Sequence, residues 1–405
     1  MGSRRAALVI ALPSLLLGCS GARTAAPVAG AQAVASSAPD PADPSAEHYA
    51  WREAIGSPDA AADPDPLVAR CGHPDAALGR VAARLAERQA RGLPDLDMPE
   101  IAFALRAEGS PYVWTRFWSV QGGGLGDDEA GRRMAQWLTG FHDGGERRCG
   151  IGRATAADQG LVLVALATDV LADLAPVPTR ARLGQWLRVR AQLLVALRGA
   201  EVVVLGPRGA PRTVPTSVQG REVRANFAVD HAGPWLVQVL AEVEGGPRPV
   251  AEALVQVDVD PPTTFRSTPA PGEDQAEADG DPSASLVRMV NGARASERLS
   301  SLRRDRRLDA IAEAHARAMG EAHRIGHDVG DGSPEARIEA AGLSVLAAGE
   351  NVVRARDVRR AHRALWASPA HRAALLHPDF DSVGVGVVQD ESGDVWACEL
   401  LADFR

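Results

Sequence analysis

Three short clusters in the last quarter of the chain restrict its fold more than any other part of the sequence. They are Gly349-Glu350-Asn351, then Ser368-Pro369-Ala370-His371-Arg372, then Gly384-Val385-Gly386-Val387. Each lies where the surrounding pattern predicts the beginning of a helix or a strand. With His327 upstream, two histidines and a glutamate therefore fall at element boundaries, where the backbone can aim side chains into a common cleft.

The N-terminus has the pattern of an export signal. Arg4 and Arg5 precede an apolar run from Ala6 to Leu17, which is too short to span a bilayer as a mature helix. Leu16-Leu17-Gly18-Cys19 resembles a bacterial lipobox, which predicts a signal peptide over 1–18 and lipidation of Cys19. The alternative is an ordinary cleaved signal with a chance cysteine.

A tether is predicted to follow this signal. Residues 19–66 are rich in Ala, Pro, Ser and Asp and poor in large apolar side chains, so we expect them to be disordered. Ser20 after the lipidated cysteine resembles outer-membrane sorting among Gram-negative lipoproteins. The predicted location is the cell envelope, with the membrane contacted through the lipid anchor.

Composition excludes several classes of function. The chain has no lysine, and all 44 of its basic residues are arginine, which excludes a lysine Schiff base and a Walker A phosphate loop. The sequence has no G-x-S-x-G, H-E-x-x-H or C-x-x-C motif. A net charge of −8 argues against bulk nucleic-acid binding.

The other three cysteines are assigned by their surroundings. Cys71 and Cys149 both fall in the first globular segment, so a disulfide between them is chemically permitted in an exported protein. Sequence alone does not establish that their Cα atoms are close enough to be bridged. Cys398 lies in the apolar run Val395 to Leu401, which predicts a buried free thiol.

The first globular segment, residues 67–175, has helical apolar spacing over 67–91 and 98–107. It ends with Gly150-Ile151-Gly152, a polar turn and the apolar run from Leu161 to Ala167, as the C-terminus ends with Gly384-Val385-Gly386, a turn and Val395 to Ala402. We interpret 67–175 as a degenerate second copy of the C-terminal fold. The alternative is two unrelated α/β segments that share a G-x-G hairpin.

Residues 176–261 alternate with the period of strands and are separated by Pro/Gly turns, which predicts a small antiparallel β-sandwich of Ig-like size. After Pro261-Pro262, residues 262–283 are rich in Pro, Glu, Asp, Ser and Thr and predict a flexible linker.

The segment 284–405 carries a longer pattern. N-x-x-R, R-x-D-x-x-L and A-x-x-H-A-x-x-M are present as Asn291, Arg294, Asp305, Leu308, Ala312, His315, Ala316 and Met319. Together with the three clusters, this order resembles the CAP/SCP superfamily, whose bacterial members are secreted or lipid-anchored. The resemblance implies a C-terminal α-β-α sandwich, and the whole chain is predicted to be an α+β protein.

The resemblance also implies a cleft formed by His327, Glu350 and His371. Imidazole and carboxylate together can hold a divalent ion such as Zn²⁺, or form a neutral hydrogen-bonded network. Asn351 and Ser368 are predicted to be helix N-caps beside this cleft. His315 is predicted to pack in the core, and His362 and His377 to be exposed.

Three functions remain open at this stage. The preferred one is a binding module whose cleft takes a lipid-like or cell-envelope ligand, as the family's lipid-binding members suggest. The second is a metal-assisted hydrolase with Glu350 as general base, although no nucleophile is evident. The third is a structural protein that acts through its β-sandwich.

Overall fold

The computed structural model describes residues 47–56, 65–141, 144–157, 159–196, 198–243, 246–277 and 280–404. These segments form a mixed α+β protein, with an α/β region at each end of the chain and a two-sheet region between them. The predicted signal peptide, Cys19 and most of the predicted tether lie outside the described residues.

The first α/β region contains four helices and four strands. In chain order they are α1 (Val68–Cys71), β1 (His73–Pro74), α2 (Ala76–Ala90), α3 (Met98–Ala107), β2 (Arg116–Gly122), α4 (Asp127–Leu138), β3 (Glu146–Thr155) and β4 (Leu161–Val170). Asp75 begins α2, since its side chain accepts a hydrogen bond from the backbone N–H of Leu78 at 2.9 Å. The sheet has the order β1-β3-β4-β2, with β1 parallel to β3 and the other pairs antiparallel.

Two glycines of β3 let α2 pack directly on the sheet backbone. A Cβ on Gly150 would lie 2.1 Å from backbone atoms of Leu78 and Gly79, and one on Gly152 would lie 2.1 Å from those of Ala82. No side chain fits between strand and helix at either position. Beside this contact, a disulfide joins Cys71 to Cys149 with their Cα atoms 5.9 Å apart.

The middle region contains nine strands in two sheets. They are β5 (Ala172–Leu174), β6 (Arg180–Ala181), β7 (Trp186–Leu193), β8 (Gly199–Leu205), β9 (Arg212–Val214), β10 (Thr216–Gln219), β11 (Glu222–Ala228), β12 (Gly233–Val243) and β13 (Gly246–Val257). One sheet has the order β10-β11-β7-β5 and the other β6-β13-β12-β8-β9. Buried side chains of both sheets share one hydrophobic core. Strict alternation of exposed and buried residues along β7 follows from its one-sided burial.

The C-terminal α/β region begins with helix α5. Its elements are α5 (Pro282–Ser296), β14 (Arg303–Arg304), α6 (Arg306–Ala322), α7 (Pro334–Ala340), β15 (Ala347–Ala355), α8 (Val358–Ala367), α9 (Pro369–Leu375), β16 (Ser382–Gln389) and β17 (Val395–Asp403). The sheet has the order β14-β16-β17-β15, with β14 parallel to β16 and the other pairs antiparallel. Strand order and directions are therefore the same in the two end regions.

The glycine contacts are also the same. A Cβ on Gly384 would lie 2.2 Å from the backbone of Leu308, and one on Gly386 would lie 2.2 Å from the backbone of Glu313. Asp305 begins α6 as Asp75 begins α2, with its side chain accepting from the backbone N–H of Arg307 at 2.8 Å. In both regions a capped helix rests on a glycine-bearing strand.

The first arginine of the C-terminal pattern has a structural role. Arg294 is 1% exposed and donates to the carbonyl oxygens of Ser300, Leu375 and His377 at 2.8, 2.8 and 3.0 Å. Burial lowers the pKa of its guanidinium. One side chain thus satisfies carbonyls of two loops that the helices leave unpaired.

The C-terminal part of the predicted tether is ordered, contrary to the sequence expectation. Ala54 pairs with Val177, and the backbone N–H of Tyr49 donates to the carbonyl of Thr263 at 2.8 Å. Tyr49 is 4% exposed and meets the ring of Phe103 edge-on at 5.3 Å. Aromatic side chains within the Ala/Pro-rich stretch supply the apolar area that its average composition lacks.

The predicted flexible linker is also packed, which corrects the boundary at residue 284. Glu273 is buried and forms an ion pair with Arg363 of α8. His362, predicted to be exposed, is fully buried with its Nε2 2.9 Å from the carbonyl oxygen of Pro271. Gly272, at φ +86°, lies where a Cβ would be 2.3 Å from the carbonyl oxygen of Met289. The charged composition of 262–283 predicts solvation, but these specific pairs hold it on the C-terminal region.

Candidate functional site

The three predicted cleft residues come from three elements around the edge strand of the C-terminal sheet. His327 lies in the loop after α6, Glu350 in β15 and His371 in α9. Strand β15 has a neighbour on one side only, which leaves its other edge beside the loop and the helix.

Glu350 is the centre of the site. Its side chain is 2% exposed, and its Oε1 lies 2.9 Å from Nδ1 of His327. Its Oε2 forms an ion pair with Arg337 and accepts from the thiol of Cys398 at 3.4 Å. Burial and the nearby Glu350 raise the pKa of that thiol well above its usual range, so Cys398 is a buried, protonated donor.

Arg337 is a member of this site that sequence reasoning missed. Besides Glu350, its guanidinium donates to the carbonyl oxygen of His327 at 3.0 Å and to that of Gly332. The arginine thereby neutralises the buried carboxylate and fastens the loop that carries His327. An arginine in a short helix has no motif that would have indicated this role.

His315 holds the same loop from below. It is fully buried, as predicted, with Nδ1 2.7 Å from a carboxylate oxygen of Asp331 and Nε2 2.9 Å from the carbonyl oxygen of Gly326. Burial raises the pKa of Asp331, but the hydrogen bond and charge of His315 outweigh it and hold that pKa below its ordinary value. His315 is therefore a polar anchor for the loop and not only a packed core residue.

His327 is the exposed end of the network. Its side chain is 37% exposed, and Nδ1 faces Glu350. A carboxylate paired with a guanidinium only accepts hydrogen bonds, so Nδ1 carries a proton. Within the described part of the chain Nε2 has no hydrogen-bond partner, and in the neutral ring it is an acceptor available to a ligand.

His371 stands beside this imidazole in an uncharged state. Burial, and then the nearby positive charge of protonated His327, lower the pKa of His371 to about 4. The residue as a whole is partly buried, and its ring is neutral at physiological pH.

Asn351 corrects one prediction. It lies inside β15 and is not a helix N-cap, because Gly349-Glu350-Asn351 belongs to a strand that runs on through Val352 and Val353. Its side-chain N–H groups donate to the carbonyl oxygen of His371 at 3.3 Å and to Glu399 at 3.1 Å. Asn351 therefore ties α9 to the sheet.

Glu399 is a second residue that the sequence analysis missed. It is fully buried, and burial raises its pKa to about 7, against the lowering effect of the hydrogen bond from Asn351. A glutamate inside the apolar run from Val395 to Leu401 is a signal that could have identified it, because unpaired charges are rarely buried.

Ser368 occupies the N-cap position of α9, although its side chain makes no capping hydrogen bond. The turn is held instead by Arg372, whose Nε donates to the carbonyl oxygen of Trp366 at 2.5 Å and whose guanidinium lies 4.0 Å from the centre of that ring. This contact fixes Trp366 beside α9.

The metal hypothesis does not fit this geometry. Across the described residues, no group of three or more His, Cys, Asp or Glu side chains is arranged to hold a metal ion. Both oxygens of Glu350 are engaged, one by His327 and the other by the cationic Arg337. A fixed positive charge on the carboxylate opposes a divalent cation at the same place, so His327, Glu350 and His371 do not form a zinc site here.

Comparison with known proteins identifies the domain that carries this site. The sequence profile of the CAP family, described as the Cysteine-rich secretory protein family, matches residues 287–400. The match places a CAP-family domain at residues 287–400, and the C-terminal region that contains it is called the CAP domain below. The match runs from within α5 to within β17 and includes every residue of the site described above.

Similar proteins are known from bacteria. The chain is 30% identical over 118 residues to the uncharacterized protein YkwD of Bacillus subtilis, which is 29% of this chain and 45% of YkwD, so the match spans less than half of that relative. An outer surface protein of Borrelia burgdorferi is 23% identical over 30% of this chain and 90% of its own, with a TM-score of 0.29. An extracellular SCP-domain protein of Bacillus anthracis is 16% identical over 58% and 87%, also with a TM-score of 0.29. No helix in the described segments is long and apolar enough to cross a membrane.

Proposed function

We propose that the CAP domain is a binding module whose ligand presents a hydroxyl group to the edge of β15. The observation that carries the proposal is the oriented imidazole of His327, with Nδ1 held by Glu350 at 2.9 Å and Nε2 directed away from the network. A buried orienting carboxylate fixes both the tautomer and the ring plane. A neutral Nε2 accepts a hydrogen bond, so it suits a hydroxyl donor better than an anion.

His371 supports the same ligand class. A ring that burial keeps neutral favours an uncharged group beside it. A hydroxyl-bearing lipid or cell-envelope molecule combines an uncharged polar end with apolar surface, and this chemistry matches one oriented acceptor next to a half-buried imidazole.

The test is extraction of ligand from purified protein. Wild-type protein incubated with total envelope lipid extract should retain a hydroxyl-bearing species detectable by mass spectrometry. His327→Asn should retain at least about tenfold less of it, the effect of losing one hydrogen bond to an oriented partner. The matched control is His323→Asn, an exposed histidine of the same loop at φ +47°, where asparagine is well tolerated. Equal retention by both variants, or none by wild type, contradicts the proposal.

If the protein is a hydrolase, the geometry favours His327 over Glu350 as the general base. Glu350 is buried and engaged at both oxygens, so it does not fit a general base that must reach substrate. His327, with Glu350 as its orienting partner, has the geometry of a base and its positioning acid. A pH-dependent esterase activity lost in His327→Asn would favour this alternative over simple binding.

We also propose that the protein is an outer-membrane lipoprotein of the cell envelope, anchored through Cys19. The lipobox-like sequence supports this, and a disulfide between Cys71 and Cys149 suits an oxidising compartment. Cys19→Ala should move the protein from the membrane fraction to the soluble fraction. A variant that fractionates like wild type contradicts lipid anchoring.

Finally, we propose that the first α/β region is a degenerate copy of the CAP domain, and that the middle region is an Ig-like sandwich. Equal strand order and equal glycine contacts support the copy. Aligning the regions through Gly150 and Gly384 sets apolar residues against four polar residues of the site. Leu85 corresponds to His315, Phe117 to Glu350, Trp118 to Asn351 and Ala165 to Glu399. The copy would therefore keep the fold without the binding network.

A further inference from the structure

Large apolar side chains are exposed together at one end of the middle region. Leu183 is 54% exposed, Trp186 is 71% exposed and Val259 is 41% exposed, the tryptophan being the most exposed large apolar side chain in the described part of the chain. Isolated exposed apolar residues are ordinary, but a group of them indicates an interaction surface. We call these three residues the apolar tip.

The tip is a turn where the chain crosses from one sheet to the other. Residues 182–185 connect β6 of the five-stranded sheet to β7 of the four-stranded sheet. The backbone N–H of Leu183 donates to the side chain of Asp258 at 3.1 Å, next to Val259, and β6 pairs with the end of β13. Gly184, at φ +78°, makes the tight turn possible. The apolar side chains therefore lie on and beside a turn at the end of the two sheets.

Three arginines flank the tip. Arg188 and Arg190 follow Trp186 on the outward face of β7, and Arg182 lies in the turn. In the described part of the chain no hydrogen bond or close ion pair of these three side chains is found, although the charge of Arg190 acts on Glu222 of the neighbouring strand. Asp260 is paired with Arg180, whereas Asp258 accepts from the backbone N–H of Leu183 and Asp230 lies beside His231. Four arginines (Arg180, Arg182, Arg188 and Arg190) therefore lie with three aspartates at this end, an excess of one positive charge (4 − 3), although the whole chain carries −8.

We propose that the apolar tip docks the middle region on a lipid bilayer with anionic headgroups, Leu183 and Trp186 entering the interface and the three arginines contacting lipid phosphates. Tryptophan is enriched at membrane interfaces because its ring has an apolar body and a polar N–H. Arginine near a bilayer is attracted by anionic lipids. Exposed apolar side chains on a turn can enter a lipid phase, which needs no matching pocket. This surface is separate from the His327 cleft and does not depend on the function proposed for it.

The test uses residues 20–405, because the predicted signal peptide and an acylated cysteine would bind vesicles by themselves. This shortened protein keeps the whole of the compact unit Glu47–Arg405. Wild type should co-sediment with vesicles of 70% phosphatidylcholine and 30% phosphatidylglycerol, and the combined Leu183→Ser and Trp186→Ser variant should bind at least about tenfold less, since two large apolar side chains no longer enter the interface.

Two further variants separate the contributions. Leu346→Ser removes a still more exposed leucine of the CAP domain, 68% exposed, and should bind like wild type. Arg188→Gln with Arg190→Gln should weaken binding to the anionic vesicles severalfold and leave binding to pure phosphatidylcholine unchanged. Circular dichroism melting of each variant establishes that the fold is retained.

Three outcomes overturn the proposal. One is wild type that does not co-sediment with the anionic vesicles. Another is a folded tip variant that binds as tightly as wild type. The third is a tip variant that changes the oligomeric state in light scattering but not vesicle binding, which would make the tip a contact between copies of this protein.

Discussion

The two α/β regions have the same strand order and the same helix–strand contact. They differ in the side chains beside that contact, which form a polar network in the CAP domain and an apolar cluster in the first region. In both, an aspartate-capped helix lies against glycines of the adjacent strand, closer than any Cβ allows. In the CAP domain the neighbouring edge strand carries Glu350 and Asn351, whereas the first region has Phe117 and Trp118 there. The contact between the strand glycines and the helix backbone thus leaves no room for a side chain in either region. The polar network around Glu350, in contrast, has apolar side chains in its place in the first region.

The replacement of polar by apolar side chains is chemically consistent, because it affects several members of the network and not one alone. A buried carboxylate needs its partners, because one left unpaired costs several kcal/mol. In the CAP domain Glu350 has Arg337, His327 and Cys398 around it. In the first region the position of His315 is taken by Leu85, a buried residue of an apolar cluster. All four polar residues for which the strand register and the helix contacts give a counterpart are replaced by apolar residues in the first region.

The largest expected difference between the regions comes from the disulfide, which only the first one has. Cys71→Ser with Cys149→Ser opens a cross-link spanning 78 residues and should cost about 4.5 kcal/mol by the chain-entropy estimate. Hydrogen exchange followed by mass spectrometry should show faster exchange in β3 and β4 and little change in β16 and β17. Equal acceleration in both regions would mean that they unfold as one cooperative unit.

Next in size is the cost of a methyl group at the shared glycine contact. Gly150→Ala and Gly384→Ala should each lower the free energy of unfolding of their own region by about 3 kcal/mol, because the Cβ meets helix backbone. Gly79→Ala is the control, since a Cβ there has open space and alanine favours the helix. Urea denaturation measures all three. A mild effect at one of the two strand glycines would break the equivalence of the regions.

The sequence predicts the locally determined elements of the fold but not the polar pairs that join distant residues. The helices over 98–107 and the G-x-G strands were recognisable because they depend on local periodicity and on glycine. The partnership of Glu350 with Arg337 was not, because it joins a strand to a short helix through side chains with no fixed spacing. Likewise, the packing of 262–283 depends on Glu273 meeting Arg363, which is 90 residues away. Long-range polar pairs leave no periodic signal.

The placement of Asn351 failed for a related reason. Asparagine before an element is typical of a helix N-cap, and only the continuing β-branched residues Val352 and Val353 argued for a strand. Its partner Glu399 lies on the adjacent strand, so the pairing becomes visible only when the register is known. The three cleft residues themselves could be named through a family resemblance, whereas their hydrogen bonds could not.

The smallest expected effect is in pH dependence. Burial and nearby His327 lower the pKa of His371 from 6.5 to about 4, so the folded protein binds fewer protons than the unfolded chain in that window, and stability falls as pH falls through it. Burial raises the pKa of Glu399 from 4.5 to about 7, so the folded protein binds more protons there, and stability falls as pH rises through that window. Between about pH 4.5 and 6.5 the two effects oppose one another.

Burial also lowers the pKa of His362, which acts in the same direction as His371, so the stability of the wild-type CAP domain should rise slightly with pH between those values. Glu399→Gln should steepen this rise by up to about 1.4 kcal/mol per pH unit, and His371→Asn should reduce it by a similar amount. The first region, with Ala165 at the position of Glu399, should respond to neither variant. Thermal melting at half-unit pH steps measures the slopes, and unchanged slopes in both variants would show that neither group titrates in this window.

The packed segment at residues 47–56 has a mechanical consequence. The backbone N–H of Tyr49 donates to the carbonyl of Thr263, and that of Gly56 donates to the carbonyl of Leu174, both at 2.8 Å. Ala54 forms a β-bridge with Val177. The backbone N–H of Arg52 also donates to the carbonyl of Ala107 at 2.8 Å, so a pull arriving from the N-terminal side of residue 47 is resisted by the first region, the middle region and the start of the segment that leads into the CAP domain. The load is divided among these three parts, so no single sheet edge has to be separated to resist it.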